Sequence, residues 1–107
     1  MSIYLHCWKN EQDMLESFEI KKEDLDGFEV LLASYDREGW DGSAFVLLKK
    51  DGQLFEVNGN HCSCFGLEGQ WALEETSKEA LLHRMEKGRL FWPEGMHDEL
   101  LKILKEL

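Results

Sequence analysis

Ser43-Ala44-Phe45-Val46-Leu47-Leu48-Lys49-Lys50-Asp51-Gly52-Gln53-Leu54-Phe55-Glu56-Val57 is the stretch that decides the fold. Ser43 to Lys49 and Gln53 to Val57 carry the apolar and aromatic residues that suit a pleated, half-buried surface. Between them, Asp51-Gly52 supplies the signal of a tight hairpin, because a turn matching strand twist needs positive φ at its centre. Upstream, Phe28 to Tyr35 reads as a third strand. Its continuous Val30-Leu31-Leu32-Ala33 centre predicts burial on both faces. The three strands make an antiparallel meander.

Working outward, Asp36 to Gly42 reads as a polar loop with Trp40 at its tip. That indole either folds back onto the core or anchors a partner, since Trp is enriched at binding hot spots. Ser2 to Trp8 is a short apolar segment, a first strand or the lead-in to a helix. Asn10 caps a helix from Glu11 to Phe18, whose first-turn acids suit the helix dipole and whose apolar face is Met14, Leu15 and Phe18. Ile20 to Gly27 is turn-like. Beyond the hairpin, Phe65 to Trp71 is a glycine-punctuated loop pinned by Trp71. Thr76 to Lys87 reads as a helix, with Thr76 and Glu79 as a capping box, Leu81, Leu82 and Met85 buried, and Gly88 as the stop. His83 falls off that stripe. After Trp92-Pro93, Met96 to Leu107 forms an amphipathic helix, its last turn packed on the sheet or open to a partner. The expectation is one α+β domain over residues 1–107: a three-stranded or slightly larger antiparallel sheet with two or three helices against one face.

Composition narrows the function. The chain has 107 residues, with 22 Asp plus Glu against 12 Lys plus Arg and a formal net charge of −10. Such a surface repels nucleic acid and membrane phosphates and is drawn to basic protein surfaces. Plain solubility is the competing explanation. The acids flanking Trp40 (Asp36, Glu38, Asp41) and those before the Thr76 helix (Glu74, Glu75) are the candidate partner contacts. No apolar run is long enough to span a membrane. An odd cysteine count without a leader points to a reducing cytoplasm.

Asn58-Gly59-Asn60-His61-Cys62-Ser63-Cys64-Phe65-Gly66 is where metal chemistry concentrates. It holds two of the three cysteines and one of the four histidines. Thiolate and imidazole are the ligands Zn²⁺ prefers, and a tetrahedral structural site needs a fourth. Zinc motifs more often use Cys-x-x-Cys. In Cys-x-Cys both sulfurs leave an extended backbone on one side, so they share an ion if the flanking glycines let the chain bend. His61 would join them only in an irregular stretch. Reduced buried thiols, a strained disulfide and a redox pair are the alternatives. Cys7 is a candidate fourth ligand.

The chain lacks a phosphate-binding glycine motif, His-Glu-x-x-His and the Pro-Cys-x-x-Cys of zinc deaminases. Cys64 with His61 could be drawn as nucleophile and base, but no third residue orients the pair. The expectation is a protein without catalytic residues.

Ser43 to Leu47, Asp51 to Gly59 and His61-Cys62-Ser63-Cys64-Phe65-Gly66-Leu67-Glu68-Gly69-Gln70-Trp71, followed by Glu74-Glu75-Thr76, Glu79-Ala80-Leu81 and His83-Arg84, resemble a family of small proteins carried by phages and prophages. Family members read Trp-Glu-Pro-Glu-Glu where this chain has Trp71-Ala72-Leu73-Glu74-Glu75, so the entry to the helix differs. The resemblance implies a phage-derived cytoplasmic protein, with His83 as fourth ligand of a zinc site at His61, Cys62 and Cys64. A small, acidic phage protein of this kind looks like the anti-defence inhibitors phages deploy, notably anti-CRISPR proteins acting on Cas9-type effectors, whose guide–target duplex lies in positive charge. The alternatives are a host-takeover adaptor that binds another host protein and a small zinc-dependent enzyme.

Overall fold

The Asp51-Gly52 turn forms as its sequence requires, with φ of 50° at Asp51 and 82° at Gly52. The computed structural model describes residues 3–6, 8–38, 41–61, 67, 69–87 and 96–106. Around the turn stand β3 (Asp41–Lys50) and β4 (Gln53–His61), joined on one side by β2 (Glu29–Glu38) and β1 (Ile3–His6) and on the other by β5 (Glu74–Thr76). The sheet is five-stranded in the order β1-β2-β3-β4-β5. β2 to β5 are antiparallel, as expected, whereas β1 runs parallel to β2.

Both faces of the sheet are covered, not one. On the first face lies α1 (Glu11–Phe18), with Met14, Leu15 and Phe18 packed on Ala33, Val46 and Val57. Asn10 caps α1, accepting from the Asp13 backbone N–H at 2.9 Å. The chain leaves α1 through Glu19 in a left-handed conformation and reaches β2 through a short 3-10 turn, Lys22–Leu25. Trp8, Phe18, Tyr35 and Trp71 form a ring cluster here, Phe18 meeting Trp71 edge-on at 5.1 Å between centroids. Trp71 therefore pins its loop as expected. On the second face, Leu81 of α2 (Lys78–Lys87) and Leu100 and Leu104 of α3 (Met96–Glu106) bury Leu31, Leu32, Phe45, Leu47 and Leu54.

Two-sided burial explains the apolar run of β2. Val30 pairs with Leu48 and Leu32 with Leu47, leaving Leu31 as an extra residue. This bulge sends Leu31 and Leu32 to the same face, while Val30 and Ala33 stay on the other. Strict alternation would have split the two leucines.

Several boundaries differ from the sequence reading. Asp36 to Gly42 is not a loop: β2 and β3 continue to Glu38 and Asp41, which pair with each other. The register carries the ladder past these polar positions because a polar residue's backbone bonds as well as any. Likewise Asn58-Gly59-Asn60-His61 extends β4, with His61 opposite Gly42. Thr76 is held in β5 by its pairing with Leu54, and its carbonyl accepts from the Gln53 amide at 2.8 Å. Ser77 therefore caps α2 instead, its hydroxyl accepting from the Ala80 backbone N–H at 3.1 Å.

Gly59 is a packing requirement. A Cβ there would stand 2.9 Å from a Leu67 methyl and 3.4 Å from the Phe18 ring. Gly59→Ala should destabilise the protein by about 1–3 kcal/mol through overpacking, measured by urea unfolding. A stability equal to wild type would show that Leu67 yields freely.

Candidate functional site

Where α2 crosses β4, the second face contains a charge. Glu56 is opposite Leu47 in the ladder and only 2% exposed. An unpaired carboxylate in that position would be costly. Arg84, one turn beyond Leu81, reaches down from α2 and donates from Nη2 to Oε2 of Glu56 at 2.6 Å. Asn58 donates to the other oxygen at 2.8 Å. Both carboxylate oxygens are thus engaged, while Nε of Arg84 is buried without a hydrogen-bond partner. The pair ties α2 to the sheet at a defined position along β4.

Above this pair opens a cleft of about 510 Å³, lined by Gln53, Glu56, Glu74, Glu75, His83 and Arg84 among others. Its charge is unbalanced. Arg84 is matched by Glu56, which leaves Glu74 and Glu75, both exposed, without an ion pair among the described residues. These carboxylates and His83 do not form a metal cage: among the described residues no group of three or more His, Cys, Asp or Glu is placed to hold an ion.

The residues expected to carry function divide into those the fold brings together and those it does not. Glu74 and Glu75 do share the cleft with His83, which is exposed on α2 as its helical spacing predicts. Asp36, Glu38 and Asp41 are strand positions at the opposite end of β3, where Glu38 pairs with Asp41 and Asp36 with Ser43. Trp40 between them lies outside the described residues, as do Cys7, Cys62 and Cys64. His61 ends β4 in regular pairing, so any departure from the strand begins after it. The donor set itself, two thiolates and an imidazole within four positions, fits zinc. The fourth ligand is less simply placed. His61 is five positions, about 16 Å of extended strand, beyond Glu56, which lines the cleft together with His83. His6, the neighbour of Cys7, is three strands from β4, about 14 Å across the sheet.

Sequence reading missed Glu56 and Arg84 as a pair. The available signal was a lone acid between Phe55 and Val57 in a strand whose neighbour is apolar on both faces. Such an acid needs a cation, and Arg84 follows Leu81 by three, on the same helix face.

Arg84→Met should cost about 2–3 kcal/mol, less than the 3–5 kcal/mol of a fully enclosed pair because water reaches the guanidinium. Combining it with Glu56→Leu should recover most of that loss, since both charges then leave together. A double-mutant cycle in urea reads this coupling, and purely additive losses would contradict it.

Compared with protein-family models, with curated proteins and with solved structures, the chain finds no match in any of the three.

Proposed function

We propose that this chain is a phage-encoded acidic protein, stabilised by one zinc ion, that binds a basic host protein and inhibits a Cas9-type effector. The observation that carries the reading is the formal charge of −10. Glu56 is neutralised by Arg84 and Glu99 lies 3.5 Å from Lys102, whereas Glu74 and Glu75 have no ion pair among the described residues. Glu74 and Glu75 are exposed at one end of the sheet, and Asp36, Glu38 and Asp41 occupy strand positions at the other. A basic channel built to hold nucleic acid is the surface such a chain seeks. His61, Cys62 and Cys64 supply zinc ligands, with His83 or Cys7 completing the sphere. The metal serves stability, because the energy of binding a structural zinc is folding energy.

An adaptor would bind through the apolar stripe of the C-terminal helix. Leu100 and Leu104 of that stripe are fully buried against the sheet, while Leu101 and Ile103 are half-buried, which reduces the apolar surface such an adaptor would use. The reduced stripe favours charge as the means of finding a partner.

Purified without chelator, the protein should carry about one zinc per chain, and Cys62→Ser or Cys64→Ser should lower the melting temperature sharply. Elemental analysis finding no transition metal would reject the site. His83→Ala with unchanged zinc content would pass the fourth position to Cys7.

Cas9 cleavage of a plasmid target should fall when the protein is added in molar excess. Association should slow with salt far more than dissociation quickens, because attraction between exposed charges is screened beyond about 8 Å at physiological ionic strength. Reversing Asp36, Glu38 and Asp41, or Glu74 and Glu75, should weaken inhibition while leaving the thermal transition in place. Trp40→Ala should weaken it only where the indole is an anchor. Complete cleavage, with no complex on gel filtration, would reject Cas9 as the target and turn the search to other Cas effectors.

A further inference from the structure

β1 and β5 are the two edges of the sheet among the described residues, and the outer edge of β5 is the one flanked by exposed carboxylates. β5 ends the strand order, and among the described residues no strand lies beyond it. Its residues Glu74 and Glu75 are exposed, and Leu73, immediately before them, is an exposed large apolar side chain at 38%. Neither glutamate has an ion pair among the described residues, and Arg84 in the adjoining cleft is already held by Glu56.

We propose that β5 receives an extended basic segment of the partner protein as a sixth strand. An edge strand offers backbone N–H and C=O groups to any extended chain, and the side chains beside it choose among candidates. Glu74 and Glu75 point to opposite faces, because Glu74 pairs with Glu56 and Glu75 with Phe55. A Lys or Arg opposite Glu74 or Glu75 would approach the rim of the cleft that both glutamates line, from one face of the ladder or the other. Leu73 adds an apolar contact at the start of the ladder. The same acids shut the edge to a second copy of this chain, which would set glutamate against glutamate and bring together two chains of charge −10. Charge thus closes the edge to self-pairing and opens it to a basic strand.

This inference rests on the reading that the partner is basic, so its test uses isolated peptides, independent of any effector. The probe is a short peptide alternating Lys and Val, titrated into the isotope-labelled full chain, with versions carrying Gln or Glu in place of Lys. The Lys peptide should shift and protect the amides of residues 73–76, binding about tenfold more tightly than the Gln peptide. The double variant Glu74→Lys/Glu75→Lys, checked for an unchanged thermal transition, should reverse the preference between the Lys and Glu peptides. Leu73→Ser should weaken the Lys peptide without changing the order of preference, and provides the second variant if the double reversal unfolds. Equal binding of the Lys peptide to wild type and the reversed variant would overturn the proposal. So would shifts confined to the Asp36–Asp41 end, no binding of the Lys peptide at millimolar concentration, or protection of residues 73–76 by dimerisation of the chain alone. Peptide binding at β5 with full Cas9 cleavage would uphold this edge while rejecting the effector named above.

Discussion

Burial of the sheet on both faces is the constraint from which the rest follows. β3 carries Ala44, Val46 and Leu48 to one side and Phe45 and Leu47 to the other, all buried. A strand placed in this way tolerates no free polar side chain, so each neighbour must match it face by face. β2 does so through the Leu31 bulge. β4 does so with Leu54, Phe55 and Val57, and sets a buried charge in the pattern at Glu56. That exception obliges α2 to deliver a cation at Arg84. The position of α2, and with it the cleft, thus follows from a single buried carboxylate.

The same constraint separates the chain into a neutral interior and a charged exterior. Helices cover both faces, so the acids have nowhere to go but the helix surfaces, the ends of the ladders and the edge strand. Among the described residues Leu73 is the large apolar side chain left exposed, and Glu74 and Glu75 beside it are exposed carboxylates. In the reading proposed above, recognition would draw on long-range attraction and on the backbone of the β5 edge. No helix among the described residues is long and apolar enough to cross a membrane.

Two glycines show how one residue type serves different ends. Gly52 supplies positive φ to a hairpin turn, which its pairing with Asp51 announces in the sequence. Gly59 sits in a regular strand, and its role is to leave room for Leu67 and Phe18. Nothing local distinguishes the second from a glycine that bends the chain toward Cys62 and Cys64. Its partners lie on other elements.

By itself the sequence determined the α+β class, the meander around Asp51-Gly52, the Asn10-capped helix and the apolar stripes. These depend on periodicity, caps and turn chemistry, which act over a few residues. Tertiary structure decided the parallel addition of β1, the division of helices between two faces and the extension of β2 and β3 past Glu38 and Asp41. It also decided the shift of the α2 cap from Thr76 to Ser77 and the meeting of Glu56 with Arg84. Each of these turns on a hydrogen bond or a packing contact between residues distant in the chain. A local pattern shows that a segment can be a strand. Which neighbour completes its ladder, and which buried charge finds a partner, is settled only when the whole sheet is assembled.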